Sequence, residues 1–156
     1  MAQVEKSIEV MKPVDQVYAQ WTQFEEFPRF MENVEEVRQL DDTRLHWRAK
    51  IAGSEREWDA KIVEQRPNEL IAWRSLSGDR NDGVVTFQGV DSRTRLTLTV
   101  DYEPPAGVVG AMADKLVQAT PGRIENDLKR FKEFIEAQPA ATGKWSGEVR
   151  AGQVKK

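Results

Sequence analysis

The sequence predicts an α+β domain in which a seven-stranded antiparallel sheet curves around a long C-terminal helix, with two short helices after the first strand. Three observations carry this prediction. Val14, Val17, Tyr18 and Trp21 recur at i, i+3, i+4 and i+7, the apolar stripe of a helix, and the run Trp21-Thr22-Gln23-Phe24-Glu25-Glu26-Phe27-Pro28-Arg29-Phe30-Met31 then packs aromatics at helical spacing before a proline ends it. Beyond Met31 the apolar period becomes two, broken at short intervals by turn residues, as consecutive hairpins require. After Gly107 the helical period returns and holds to Ile135.

Taken in order, Val4, Lys6, Ile8 and Val10 form the first alternating strand, and Pro13 stands where a first helical residue needs no N–H. Val34 to Leu40 meets the turn Asp41-Asp42-Thr43, Arg44 to Ile51 meets Ala52-Gly53-Ser54, and Glu55 to Gln65 meets Arg66-Pro67-Asn68. Glu69 to Leu76 leads to the turn Ser77 to Gly83, Val84 to Val90 to Asp91-Ser92-Arg93, and Thr94 to Glu103 ends at Pro104-Pro105. Each turn holds Asp, Asn, Gly or Pro where the backbone reverses. One face is dry: Leu45, Trp47, Ala49 and Ile51; Trp58, Ala60 and Ile62; Val85 and Phe87; Leu96, Leu98, Val100 and Tyr102. The strand 69–76 is ambiguous, with Ile71 and Trp73 on one side and Leu70, Ala72, Arg74 and Leu76 on the other; Trp73 is placed inward. Val109, Met112, Leu116 and Val117, then Ile124, Leu128, Phe131 and Ile135, mark helix on both sides of Thr120-Pro121. Because an interior proline costs about 3 kcal/mol, two segments with Thr120 as cap or one kinked helix are expected. Residues 1–137 read as one domain and 138–156, without periodicity, as a flexible tail.

With 156 residues, 39% of them hydrophobic, the chain is long enough to bury a core and short for two domains. It contains no cysteine, which excludes disulfides, thiolate metal sites and thiol nucleophiles. No secretory leader and no run of about 18 apolar residues is present, so a cytoplasmic location without stable membrane insertion is the expectation. A net charge of -3 argues against a nucleic-acid partner. In the tail, Lys144, Arg150, Lys155 and Lys156 face only Glu148, which allows weak contact with an anionic membrane surface. Oligomeric state is left open.

Catalytic signatures are scarce. The single histidine, His46, lies on the polar side of its strand, where a hydrolase triad has no use for it. One His and no Cys make a zinc site a poor fit, and no metal or cofactor is expected. Asp79-Arg80-Asn81-Asp82-Gly83 begins like a calcium loop, but Gly comes one place early and Val90 stands where the bidentate Glu belongs, so a hairpin turn is the reading. No dinucleotide, phosphate-loop or zinc-protease motif occurs. What stands out is bulk on the inner face: Trp21, Trp47, Trp58, Trp73, Phe87 and Tyr102. These aromatics either fill the core or wall a cavity that their N–H and O–H groups equip for a ligand.

Several stretches together carry a resemblance covering residues 3–137: Trp21-x-x-Phe24-x-x-Phe27-Pro28-x-Phe30-Met31, His46-Trp47, Glu57-Trp58-Asp59-Ala60-Lys61-Ile62, Ile71-Ala72-Trp73-Arg74-Ser75 and Tyr102-Glu103-Pro104-Pro105-Ala106-Gly107. In these the chain resembles the polyketide cyclase/dehydrase and Coq10-like branch of the START-like (SRPBCC, helix-grip, Bet v 1-like) superfamily. The resemblance implies a hydrophobic tunnel between sheet and C-terminal helix, and a lipid, quinone or polyketide-like molecule as partner. Trp47, Trp58, Trp73, Phe87, Leu98, Tyr102, Met112 and Leu116 are the expected ligand wall. Three functions follow as expectations: binding or carrying a hydrophobic ring-containing molecule, an aromatic polyketide cyclase or dehydratase with Arg74 and Tyr102 as candidate catalytic groups, or a non-catalytic interaction module.

Overall fold

The period-two stretches pair as antiparallel neighbours, and the first strand pairs with the last long one. The computed structural model describes residues 2–51, 53–77, 80–103, 110–145 and 147–155. β1 (Ala2–Val10) leads through α1 (Val14–Trp21) and a 3-10 helix (Phe24–Arg29) to β2 (Val34–Gln39), β3 (Arg44–Ile51), β4 (Ser54–Arg66), β5 (Leu70–Ser75), β6 (Asn81–Val90) and β7 (Arg93–Tyr102). α2 (Ala111–Glu136) follows, and then β8 (Glu148–Arg150) and β9 (Gln153–Lys155). The seven long strands form the antiparallel sheet that the sequence predicts, in the order β1-β7-β6-β5-β4-β3-β2, and β8 on β4 with β9 on β8 brings the sheet to nine strands, two more than predicted.

Alternation sets the faces, and two bulges shift them. The register slips between Val34 and Glu36 on β2 and between Ile62 and Glu64 on β4. The second slip turns Gln65 inward, where it is 1% exposed, although strict alternation would have placed Glu64 there. β5 resolves in favour of Ile71 and Trp73 facing the core, with Arg74 outside. Asn81, Asp82 and Gly83 belong to β6 and not to the preceding turn.

The core concentrates at one end. Phe131 and Ile135 of α2 are fully buried, and Phe131 meets Trp21 edge-on at 5.0 Å and Phe30 at 5.1 Å. Such aromatic contacts add about 0.5–1.5 kcal/mol each to the burial itself. Trp21 in turn packs on Phe27 at 5.3 Å. These rings lock the C-terminal half of α2 to the inserted helices.

Where the sequence predicts a flexible tail over 138–156, parts of the described stretch pack on the body. Val149 is fully buried and pairs with Gln65, on the part of β4 that runs beyond the end of β3. The Gln20 carboxamide donates to Thr142 Oγ1 and accepts from the Thr142 N–H, each at 3.0 Å, and the Trp145 N–H donates to Thr22 Oγ1 at 3.2 Å. One valine in a polar stretch has no period to announce a strand. The bare edge of β4 supplies the partner.

Pro121 sits inside a single α2 and not between two helices. Its missing N–H would leave the carbonyl of Val117, four residues earlier, without a partner. The Tyr102 hydroxyl donates to that carbonyl at 2.8 Å, and Thr120 Oγ1, expected as a cap, donates to the Leu116 carbonyl at 2.8 Å. The sheet therefore completes the helix. Tyr102→Phe should destabilise the protein by about 1–2 kcal/mol. It should also raise amide exchange in residues 111–120 more than in 124–136, as read by hydrogen-exchange mass spectrometry.

Candidate functional site

The register of β3 and β4 puts Trp47 opposite Trp58, both on the inner face. Their rings stack with centroids 5.8 Å apart and planes 7° from parallel. Ala49 and Ala60 flank the pair and add little bulk. On β5, Trp73 lies across Gly83 of β6, where a Cβ would come within 2.5 Å of the indole. Glycine is therefore what lets this indole lie flat on the sheet. Its Nε1–H donates to Asn81 Oδ1 at 3.4 Å.

Between these indoles and α2 lies a cavity of about 150 Å³. Ile62, Ile71, Leu98 and Val100 supply sheet-side wall, Thr120, Ile124 and Leu128 the helix side, and Trp21, Phe24 and Phe27 the end formed by the inserted helices. An apolar cavity of roughly this volume accepts a benzene ring. The space is sized for rings, not for a lone water.

Polar groups are few: Asn33, Asn81, Tyr102, Thr120, Arg123 and Asp127. Asp127 Oδ1 accepts from the Glu32 N–H at 3.4 Å and from the Arg130 guanidinium, whose Nε–H also donates to the Phe30 carbonyl at 2.9 Å. This clasp joins α2 to the segment leading into β2. Burial holds the Asp127 carboxyl above its ordinary pKa, although the Glu32 N–H, Arg130 and Arg123 all favour the charged form. Arg123 has no ion pair or hydrogen bond among the described residues. Among those residues no three His, Asp or Glu side chains gather to hold a metal ion, and no helix is long and apolar enough to cross a membrane.

Of the expected wall, Trp47, Trp58, Trp73, Leu98 and Tyr102 line the cavity. Phe87 stands behind it, packed on Tyr18 at 5.2 Å and Trp21 at 6.4 Å. Met112 is 54% exposed, and Leu116 is half-buried without reaching the cavity. The helix residues that line the cavity run from Thr120 to Leu128, so Leu116 and Met112 lie one and two turns before its end along α2. Arg74 is exposed outside the sheet, and the Tyr102 hydroxyl is committed to Val117; neither offers a free catalytic group. Arg123 and Asp127 were not anticipated. Their i, i+4 spacing one residue before the Ile124 and Leu128 stripe is the signal that could have found them.

The profile of the family described as polyketide cyclase / dehydrase and lipid transport matches residues 10–129. An uncharacterized 17.2 kDa protein in the melC2-rnhH intergenic region of Streptomyces lincolnensis is 44% identical over 151 residues, covering 96% of this chain and 99% of that one. The crystal structure of the Zhui aromatase/cyclase from Streptomyces sp. R1128 superposes with a TM-score of 0.72 at 21% identity, over 92% of this chain and 99% of its own. A START superfamily protein from Mycobacterium smegmatis gives a TM-score of 0.72 at 17% identity, over 86% and 97%. At these identities the two structures establish a shared START-like fold.

His46 lies on the other face of the sheet. Its Nδ1 is 2.6 Å from Asp59 Oδ1 and its Nε2 3.0 Å from Glu57 Oε1. Hydrogen bonds to Glu57 and then to Asp59 raise its pKa above the ordinary histidine value. A group whose pKa is raised by folding stabilises the fold below its unfolded pKa, and that contribution disappears as pH rises through the folded one. The melting temperature should therefore fall across that interval in the native chain and change less in His46→Gln. The His46 ring protons should titrate above pH 6.5 by NMR.

Proposed function

The chain belongs to the polyketide cyclase / dehydrase and lipid transport family, and from that premise we propose that it binds a hydrophobic, ring-containing small molecule of lipid, quinone or polyketide type between the sheet and α2. The observation that carries this is the apolar cavity of about 150 Å³ walled by Trp47, Trp58 and Trp73. Indole faces take a flat ring by dispersion and offset stacking, and a largely pre-formed apolar wall with a few polar groups is the usual form of a small-molecule site. Carrying such a molecule needs no acid, base or nucleophile.

Titration with a naphthoquinone should shift or quench tryptophan emission saturably, with a dissociation constant of tens of micromolar or better. Ala49→Phe pushes a ring into the cavity from β3 at an overpacking cost of about 1–3 kcal/mol. That variant should remain folded by circular dichroism and lose the saturable response. An unchanged response in Ala49→Phe, or none in the native chain, counts against this site.

A second reading is favoured by one observation, the half-buried Asp127 carboxyl in the cavity wall, whose pKa desolvation raises. A carboxyl whose pKa is raised above the ordinary carboxylate value is a stronger base toward a bound β-ketone, and proton exchange of that kind is what aldol cyclisation and dehydration require. The similar fold of the Zhui aromatase/cyclase supports the same class of reaction. On this reading the purified chain converts a poly-β-ketone surrogate to a cyclised product detected by mass spectrometry, and Asp127→Asn lowers turnover at least about 100-fold while still binding the surrogate. Binding without turnover in the native chain identifies a carrier.

A further inference from the structure

We propose that the bound molecule is an amphipathic acid, whose ring body enters the cavity while an anionic oxygen stays at the rim against the Arg123 guanidinium. This rests on the cavity being the ligand site. Arg123 is half-buried on α2, four residues before Asp127, and lines a wall that is otherwise mostly apolar. The cations that follow it along α2 are all paired: Lys129 with Glu125 at 3.8 Å, Lys132 with Glu136 at 2.6 Å, and Arg130 with Asp127. Asp127 lies within reach of Arg123's field, but its Oδ1 already takes the Arg130 guanidinium and the Glu32 N–H. Among the described residues the Arg123 side chain makes no hydrogen bond or ion pair, so beyond the field of Asp127 its guanidinium is free to meet a ligand beside apolar space.

Such a charge is costly to shield from water unless a ligand meets it, and its planar fork suits a carboxylate, phenolate or enolate oxygen pair. Asn33, which leads into β2, also lines the cavity, and its side chain makes no hydrogen bond among the described residues. It is a second free donor in the wall. The partly desolvated setting gives the pair more weight than an exposed surface ion pair would have. A neutral ligand of the same shape would leave the guanidinium unmet. The site therefore discriminates by charge as well as by shape.

The test uses the full chain and two probes with the same ring system, 2-naphthoate and 2-naphthamide, titrated by tryptophan emission and calorimetry at low ionic strength. The native chain should bind the naphthoate about tenfold or more tightly than the amide. Arg123→Gln should erase that preference by weakening the naphthoate far more than the amide, and Arg123→Lys should keep part of it. Raising the salt concentration should narrow the gap. Circular dichroism and melting of each variant verify folding, with Arg123→Met as a second neutral replacement. Equal affinities in the native chain, or a preference that survives in both Arg123→Gln and Arg123→Met, would overturn the acid assignment and leave the cavity reading standing. Binding of neither probe would overturn both.

Discussion

Phe131, held edge-on between Trp21 and Phe30, is the contact on which the rest of the structure depends. It pins the C-terminal half of α2 to the inserted helices, and with Ile135 it fills that end of the grip to native density. The aromatic bulk at the other end is spent differently. Trp47 and Trp58 stack on each other, and Trp73 lies flat on Gly83, so none of the three fills the space beneath the middle of the helix, from Thr120 to Leu128. A sheet packed tightly at one end and walled by flat indoles at the other leaves a cavity between them.

Keeping a helix over unfilled space requires attachments other than packing. α2 has two near the cavity: the clasp in which Asp127 and Arg130 hold the Phe30–Glu32 backbone, and the Tyr102 hydroxyl on the Val117 carbonyl. The second exists because Pro121 frees that carbonyl. A residue that weakens the helix in isolation thus supplies the acceptor that ties it to the sheet. Both attachments are polar and local, so the roof is held while the space beneath stays apolar. That combination suits a pre-formed site. It also explains why Tyr102, placed in the wall by its inward phase, serves backbone satisfaction more directly than chemistry.

The family supplies a class of ligand, and the charges refine it. An apolar cavity alone would admit any flat hydrophobe of suitable size. Arg123 and the half-buried Asp127, one turn apart on α2, are the charges from which we propose that an oxygen-bearing ring is preferred. The carrier and cyclase readings share this geometry and differ in whether Asp127 moves a proton.

Much of the fold was legible because a half-buried strand must alternate and a gripped helix must repeat every three to four residues. Leu45, Trp47 and Ala49, or Leu96, Leu98 and Val100, could face only one way once their polar neighbours faced the other. The sequence by itself thus determined the strand order along the chain, the inward indoles and the helical stripe from Ile124 to Ile135. Tertiary structure decided what no local period encodes. The bulge in β4 brought Gln65 inside, the open edge of β4 captured Val149, and the Tyr102 hydroxyl took the carbonyl that Pro121 frees in one α2, where the sequence allowed two segments or one kinked helix. It also moved Phe87, Met112 and Leu116 off the cavity wall and put Arg123 and Asp127 on it. The reason is physical: periodicity reports which side of an element is dry, whereas a cavity forms where two elements fail to meet, and that depends on the distance and rotation between them.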